Sequence, residues 1–340
     1  MADPTLAGVF DLLVGTVLPR VARITVLIAV GVSLADLLVQ FGLVRYVAGL
    51  SKYLTRPANL PDEVGTAILT TTASTTAGYG MLAEFRESGA LSDRATLVAV
   101  TVNTFFGFVQ HIFTFYAPVL IPILGLQVGL LYVGSRAFVA LAITLTGIAA
   151  GALLLSRADR ESVSGEAVTD GSGAGDHPVP GADTPPTTRG KLEAAARTGF
   201  SKTRDIVPRL LVVYALVSVL TTYYDLTAIT AAGDPLADLT GLPSAAVPVI
   251  AVFALDTTNG ALVIAPLVED GVFTARTAVA TMLLGGIVSF AVSTFKRSIP
   301  FQYGIWGAEF GSKVILVNTA AKVLWIALAV AIVLHAPLPV

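Results

Sequence analysis

Cysteine is absent from the 340-residue chain. That excludes disulfides, cysteine-ligated zinc, iron–sulfur clusters and a thiol nucleophile. Histidine is nearly absent: His111, His177 and His335 are scattered and form no H-E-x-x-H pair, so neither a histidine metal site nor any other cofactor is expected. No Walker A loop or dinucleotide fingerprint occurs, which leaves no recognisable device for nucleotide hydrolysis. Charge is scarce as well. Asp, Glu, Lys and Arg make up 13% of the chain, against about 25% in soluble domains. The net charge of -2 gives no reason to expect a nucleic-acid partner. No cleavable signal peptide is expected near Met1.

What fills the chain is apolar sequence. Mean hydropathy is +0.79, and apolar runs recur at about the 20 residues a helix needs to cross a bilayer. The class is an all-α polytopic membrane protein, lying among lipids as a multi-pass protein of the cell membrane. One segment breaks the pattern. Ser156–Gly190 is rich in Gly, Pro, Ser, Thr and Asp and carries six acidic residues. Such a composition cannot bury enough apolar area to offset its chain entropy. It reads as a disordered linker between two membrane units, 1–155 and 191–340.

The two units are tandem repeats. At a constant offset of 182, Thr75 matches Thr257, Thr76 matches Thr258, Gly78 matches Gly260 and Glu87 matches Glu269. The register continues through Gly89/Gly271, Arg94/Arg276, Pro118/Pro300 and Gly125/Gly307. Upstream, an offset of 189 pairs Pro19-Arg20 with Pro208-Arg209 and Asp36 with Asp225. Each repeat reads as four helices, about eight spans in all. They cover roughly 22–41, 62–85, 93–116 and 132–155, then 206–231, 244–269, 274–295 and 313–335. Amphipathic stretches before Arg20 and Arg209 fit interfacial helices. Lys and Arg in short loops orient the chain. Arg20, Arg23, Arg86, Arg94 and the basic flanks of the linker define a cytoplasmic side, with the linker on it. An even number of spans per unit makes the repeats parallel. A hidden hairpin in each unit, near Pro118–Gly125 and Pro300–Gly307, would invert them. Transporters use both arrangements.

The candidate site lies in the second helix of each unit. "AILTTTASTTAGYGML", Ala67–Leu82, sets five threonines, a serine and two glycines inside apolar sequence. Its partner is "AVFALDTTNGALVI", from Ala251. The shared core is a polar residue, Thr-Thr, one variable residue and Gly: Ser74, Thr75, Thr76 and Gly78 in one unit, and Asp256, Thr257, Thr258, Asn259 and Gly260 in the other. Gly frees the backbone to leave helical geometry, and hydroxyls can serve the freed groups or a ligand. Irregular backbone within a bilayer is tolerated only where protein or a watery cavity surrounds it, and matched interruptions in two repeats point to a transport site. Ser and Thr also bond back to their own helix, which is the structural alternative. Asp256 weighs toward a site, because a carboxylate within a span costs roughly 2.5–3.5 kcal/mol on insertion scales. In the third helix Asn103 and Gln110 are seven apart, share a face and are expected to point toward the Thr-rich segment. His111 reads as a hydrogen-bonded structural residue, and Lys296-Arg297 as snorkelling cations or an anchor for an anionic substrate. Asp36 and Asp225 are expected to pair with neighbouring arginines or to mark an interface.

Each unit resembles the "nucleoside recognition" or Gate domain of concentrative nucleoside transporters, ferrous-iron transporters and spore maturation proteins. The likeness is carried by "LPR" at Leu18–Arg20 and "VPR" at Val207–Arg209, by "NLP" at Asn59–Pro61 and "GLP" at Gly241–Pro243, by the small-polar segments ending in Gly78 and Gly260, and by "ESGALS" and "EDGVFT" after them. The resemblance implies membrane transport or gating, not a substrate. Ferrous-iron transporters carry a GTPase domain and membrane cysteines, and this chain has neither. The resulting expectation is a non-enzymatic permease for a small polar solute or ion, bound between the repeats, with Asp256 taking a cation or proton. A homo-oligomer is compatible with it. An integral membrane enzyme acting on a lipid-linked substrate, and a structural component of a membrane complex, stay open.

Overall fold

The computed structural model describes residues 5–41, 53, 55–156, 187–223, 240–294 and 298–336. Every regular element among them is helical. In chain order they are α1 (Leu6–Leu12), α2 (Leu18–Gln40), α3 (Asp62–Ala73), α4 (Thr75–Glu87), α5 (Asp93–Val102), α6 (Thr104–His111), α7 (Ile121–Leu124), α8 (Leu126–Leu154), α9 (Thr188–Tyr223), α10 (Ala246–Leu255), α11 (Thr257–Glu269), α12 (Ala275–Ser293) and α13 (Ile299–His335). Helices suit this composition, because in lipid each backbone N–H and C=O must be satisfied within the chain. Four stretches are long and apolar enough to cross a bilayer: Leu6–Leu34, Asp93–Leu124, Leu126–Leu154 and Ile299–His335.

The amphipathic stretches expected as separate interfacial helices are continuous with the apolar helices after them. α1 runs through a π-helical turn, Leu13–Val17, into α2. α9 passes through Pro208 without ending. α1–α2 and α9 pack antiparallel. A Cβ on Gly8 would stand 2.8 Å from the Tyr223 hydroxyl, one on Gly199 would stand 2.7 Å from the Ala29 carbonyl, and Lys191 Nζ lies 4.9 Å from the Phe41 ring centre. The third helix also extends further than expected. α5 and α6 continue through a π-helical segment, Ile112–Leu120, into α7. The hidden hairpin considered near Pro118–Gly125 is not found there: the helix continues through Pro118 to Leu124 and breaks only at Gly125 (φ 78°).

The second helix of each unit is folded back on itself. α3 ends at Ser74, which is extended (φ -146°, ψ 112°), and α4 starts at the next residue. A Cβ on Gly78 would lie 2.7 Å from the Ala67 carbonyl oxygen and 2.8 Å from the Thr71 nitrogen. An uninterrupted helix would separate positions 67 and 78 by about 16 Å, so α3 and α4 form a hairpin. Its two ends sit together: the Asn59 amide donates to the Leu155 carbonyl at 3.1 Å, and Ser92 and Asp93 border one hollow with Leu155. α10 and α11 repeat this at Asp256 (φ -155°, ψ 124°), where a Cβ on Gly260 would be 2.6 Å from Phe253 Cα. The uninterrupted helices expected over 62–85 and 244–269 are therefore two helical hairpins.

The backbone follows the 182-residue register closely. The residues with left-handed φ among those described are Asn59, Gly89, Gly125, Gly241, Gly271 and Gly307. They make three pairs, each 182 apart, with φ of 53° and 70°, 78° and 77°, and 78° and 74°. Each hairpin packs into the other unit. α4 and the core around Ile68 and Leu82 meet Trp306, Phe310 and Val314 of α13. α11 meets α7 of the first unit, and Glu269 at its end bonds Arg20 of α2.

The long helix that starts at Asp93 and ends at Leu124 fixes two opposite ends of the bundle. At its Asp93 end Arg86 bonds Asp93 at 2.8 Å, stacks 4.0 Å from the Phe310 ring centre, and Lys313 lies 3.7 Å from Asp93. At its Leu124 end Arg20 bonds Glu269 at 3.0 Å and Asp270 at 3.4 Å. Arg20 and Arg86, expected on one side, lie at opposite ends. Charge counting missed this because it treated each hairpin as one crossing. Asp36 is half-buried and has an interaction partner. Asp225, Lys296, Arg297 and most of the linker fall outside the described residues.

Candidate functional site

The tips of the two hairpins border one cavity of about 760 Å³, a size suited to a small-molecule ligand. Of the residues singled out in the sequence, Thr75, Asn103, His111, Asp256, Thr257 and Thr258 line it. The others serve the frame. Ser74 Oγ accepts the Ala77 N–H at 3.3 Å, and Asp256 Oδ1 accepts the Asn259 N–H at 2.8 Å. Both residues are N-caps, each satisfying one amide that a helix start leaves without a partner. The expected bonding capacity of Asp256 is thus partly taken up by its own helix. Gly78 and Gly260 are contact points within the hairpins, and neither borders the cavity. Thr76 is exposed.

Asn103 and Gln110 do turn toward the Thr-rich segment. The buried Asn103 amide donates to Thr71 Oγ1 at 2.9 Å, and Thr71 Oγ1 donates in turn to the Ala67 carbonyl at 3.1 Å. Thr75 Oγ1 donates to Gln110 Oε1 at 3.4 Å. These bonds hold the hairpin against α6 and set its tip. Asn103 Oδ1 is buried with no partner among the described residues. An acceptor left so beside a cavity is served by a donor from water or a ligand. His111 Nδ1 lies 2.9 Å from the Gly107 carbonyl, and the residue also borders the cavity.

Sequence reasoning missed the cations. Arg136 of α8 and Lys322 of α13 both line the cavity, and Lys202 of α9 stands exposed at its edge. Arg136 lies against Tyr116 and Tyr132. Lys322 Nζ sits 5.6 Å from the Phe290 ring centre, within cation–π range. No ion pair among the described residues includes either one. The signal was present: a single cation about ten residues or more inside an apolar helix is a functional marker by default.

The lining is also paired between the units. Thr71 with Phe253, Thr75 with Thr257, Gly107 with Ser289, Phe108 with Phe290, Arg136 with Asn318 and Ala140 with Lys322 all border the cavity, and each pair is 182 apart. Residues 182 apart from the two halves of the chain thus border one space, with different side chains at several of the pairs.

No family model matches the chain. No solved structure matches it. It is similar to two proteins of Methanocaldococcus jannaschii. "Uncharacterized protein MJ0871" is 24% identical over 307 residues, which cover 89% of each chain. "Uncharacterized protein MJ0880" is 20% identical over 313 residues, 91% of this chain and 95% of that protein.

Proposed function

We propose that the protein is a membrane permease for a small solute, built from two inverted repeats around a central binding site. In this reading each repeat has three crossings and one re-entrant hairpin. α1–α2, the helix from Asp93 to Leu124, and α8 make the first three crossings. α9, α12 together with α13 up to Gly307, and the rest of α13 make the second three. The hairpins enter from opposite faces and their tips, Ser74 and Asp256, reach the middle. Non-helical backbone at that depth is tolerable because it borders a cavity. The sequence likeness to the Gate module agrees with this role and adds no substrate.

One observation carries the reading: two hairpin tips of matching backbone geometry meet at one cavity lined by residue pairs 182 apart. A site between two repeats of opposite orientation can be opened to either face by moving one hairpin or bundle against the other.

The test is flux. The purified full chain goes into liposomes loaded with a mixture of nucleosides, nucleobases, amino acids, organic acids and amines. Mass spectrometry then measures which solutes leave. At least one solute should escape faster than from protein-free vesicles. Identical leak rates for every solute would overturn the reading.

A further inference from the structure

Two cations with no ion-pair partner among the described residues face a single cavity inside an apolar bundle. Arg136 and Lys322 come from different units and from helices that are otherwise apolar over long stretches. Arg136 reaches across to the second unit: a Cβ on Gly286 would lie 3.8 Å from Arg136 Nη1. The partners on its own side, Tyr116 and Tyr132, are phenols and cancel no charge. Lys322 has an aromatic ring for company, and a ring quadrupole does not neutralise an ammonium group. Among the described residues one carboxylate lines the cavity, Asp256, and it has an oxygen engaged in capping α11. Two positive charges therefore confront one negative, before Lys202 at the edge is counted. Like charges facing one low-dielectric space repel, and an intramembrane cation without a partner is costly. A bound anion relieves both.

The rest of the wall sets the ligand's other half. Aromatic rings of Phe108, Phe115, Phe253 and Phe290 border the same space. A volume of about 760 Å³ is far more than an inorganic oxyanion fills, and suits a ligand with an apolar body. Resting on the permease reading above, the geometry points to an organic anion as cargo. Its oxyanion group, carboxylate or phosphate, sits on Arg136 and Lys322, and its apolar body lies against the rings. The planar guanidinium fork matches either group in two parallel hydrogen bonds.

The experiment compares acids with neutral isosteres on the detergent-purified full chain. Thermal unfolding is measured with benzoate and phenyl phosphate against benzamide and benzyl alcohol, each at about 10 mM, since a ligand held only by the native state raises the midpoint. One acid or both should raise it, and which one does so separates carboxylate from phosphate recognition. The neutral compounds should not. R136Q and K322Q should each weaken acid affinity about tenfold or more, the loss expected of a charge-assisted hydrogen bond. R136K keeps the charge without the fork and should fall between, which holds the test if R136Q does not fold. Neutral isosteres that stabilise as well as the acids, acids that stabilise nothing, or full acid affinity in folded R136Q and K322Q would each overturn the assignment. Flux of a neutral solute in the liposome assay would then leave a permease with other cargo. No flux at all would remove the permease reading itself.

Discussion

Ser74 and Asp256 stand 182 residues apart and do the same thing to the backbone. Each is a single extended residue between two helices, and each accepts the N–H of the residue three positions on. The side chains differ, a hydroxyl against a carboxylate, but the local task is one N-cap at a hairpin tip. Capping and charge can be separated experimentally at Asp256, because asparagine caps about as well as aspartate.

D256N should keep the thermal midpoint of the parent, and D256A should lose about 1 kcal/mol, the usual worth of an N-cap. Denaturation of the two variants in the same detergent decides it. If D256N unfolds as early as D256A, the charge rather than the cap holds the tip. Flux measured on the folded D256N protein then reads what the carboxylate does for the proposed transport, free of any change in fold.

The hairpins depend on two glycines. A methyl group at Gly78 would collide with Thr71 Oγ1, and one at Gly260 would come within 2.6 Å of Phe253 backbone. Backbone cannot step aside as a flexible side chain can. G78A and G260A should therefore lower the yield of monodisperse protein sharply. Gly80 lies in the same helix with nothing within 4 Å. G80A should be neutral or stabilising by up to ~1 kcal/mol, since alanine costs less entropy in a helix. Equal behaviour of G78A and G80A in size-exclusion profiles would argue against a closed hairpin.

Much of this arrangement could be read from residues. The 182-residue register located the matched interruptions at Ser74 and Asp256 and the turns at Gly89 and Gly271. The contact of Asn103 and Gln110 with the Thr-rich segment agrees with their seven-residue spacing. The hairpins themselves were not legible. Asp62–Phe85 has the length of one crossing, and length does not record that a single extended residue reverses the chain. That error propagated, because one uncounted reversal in each unit changes which loops share a face. Arg136 and Lys322 were passed over because attention went to polar clusters, whereas each of these is a lone charge in an apolar run.

Acid should affect the Arg20 cluster in a definite direction. Burial, its largest cause, raises the Glu269 carboxyl above its usual range, Asp270 adds to this, and Arg20 and Arg23 oppose it. A raised carboxyl binds its proton more tightly folded than unfolded. Its ionisation therefore disfavours the fold, and stability falls as pH rises from the ordinary carboxyl range through the raised value. E269Q removes that contribution, so its stability relative to the parent should improve as pH climbs through this window. R20Q takes away the stronger of the two arginine charges that offset the Glu269–Asp270 repulsion. Its deficit should be greatest at neutral pH and shrink on acidification. Midpoints of parent, E269Q and R20Q from about pH 4 to 8 test both slopes, a range that brackets the ordinary carboxyl value. A deficit of R20Q that does not change with pH would assign Arg20 a packing role instead.

The absence of cysteine makes the proposed topology directly readable. A single cysteine introduced anywhere is the only thiol in the molecule. Glu87 and Val272 are both exposed, beside the turns at Gly89 and Gly271. In parallel repeats these positions would face the same compartment. In the inverted arrangement they face opposite ones, because three crossings separate the end of the first hairpin from the start of the second. E87C and V272C are expressed in cells and labelled with a membrane-impermeant maleimide, before and after the membrane is opened. One should label in intact cells and the other only after opening. Labelling of both in the same state would place the two hairpins on one face and return the repeats to parallel.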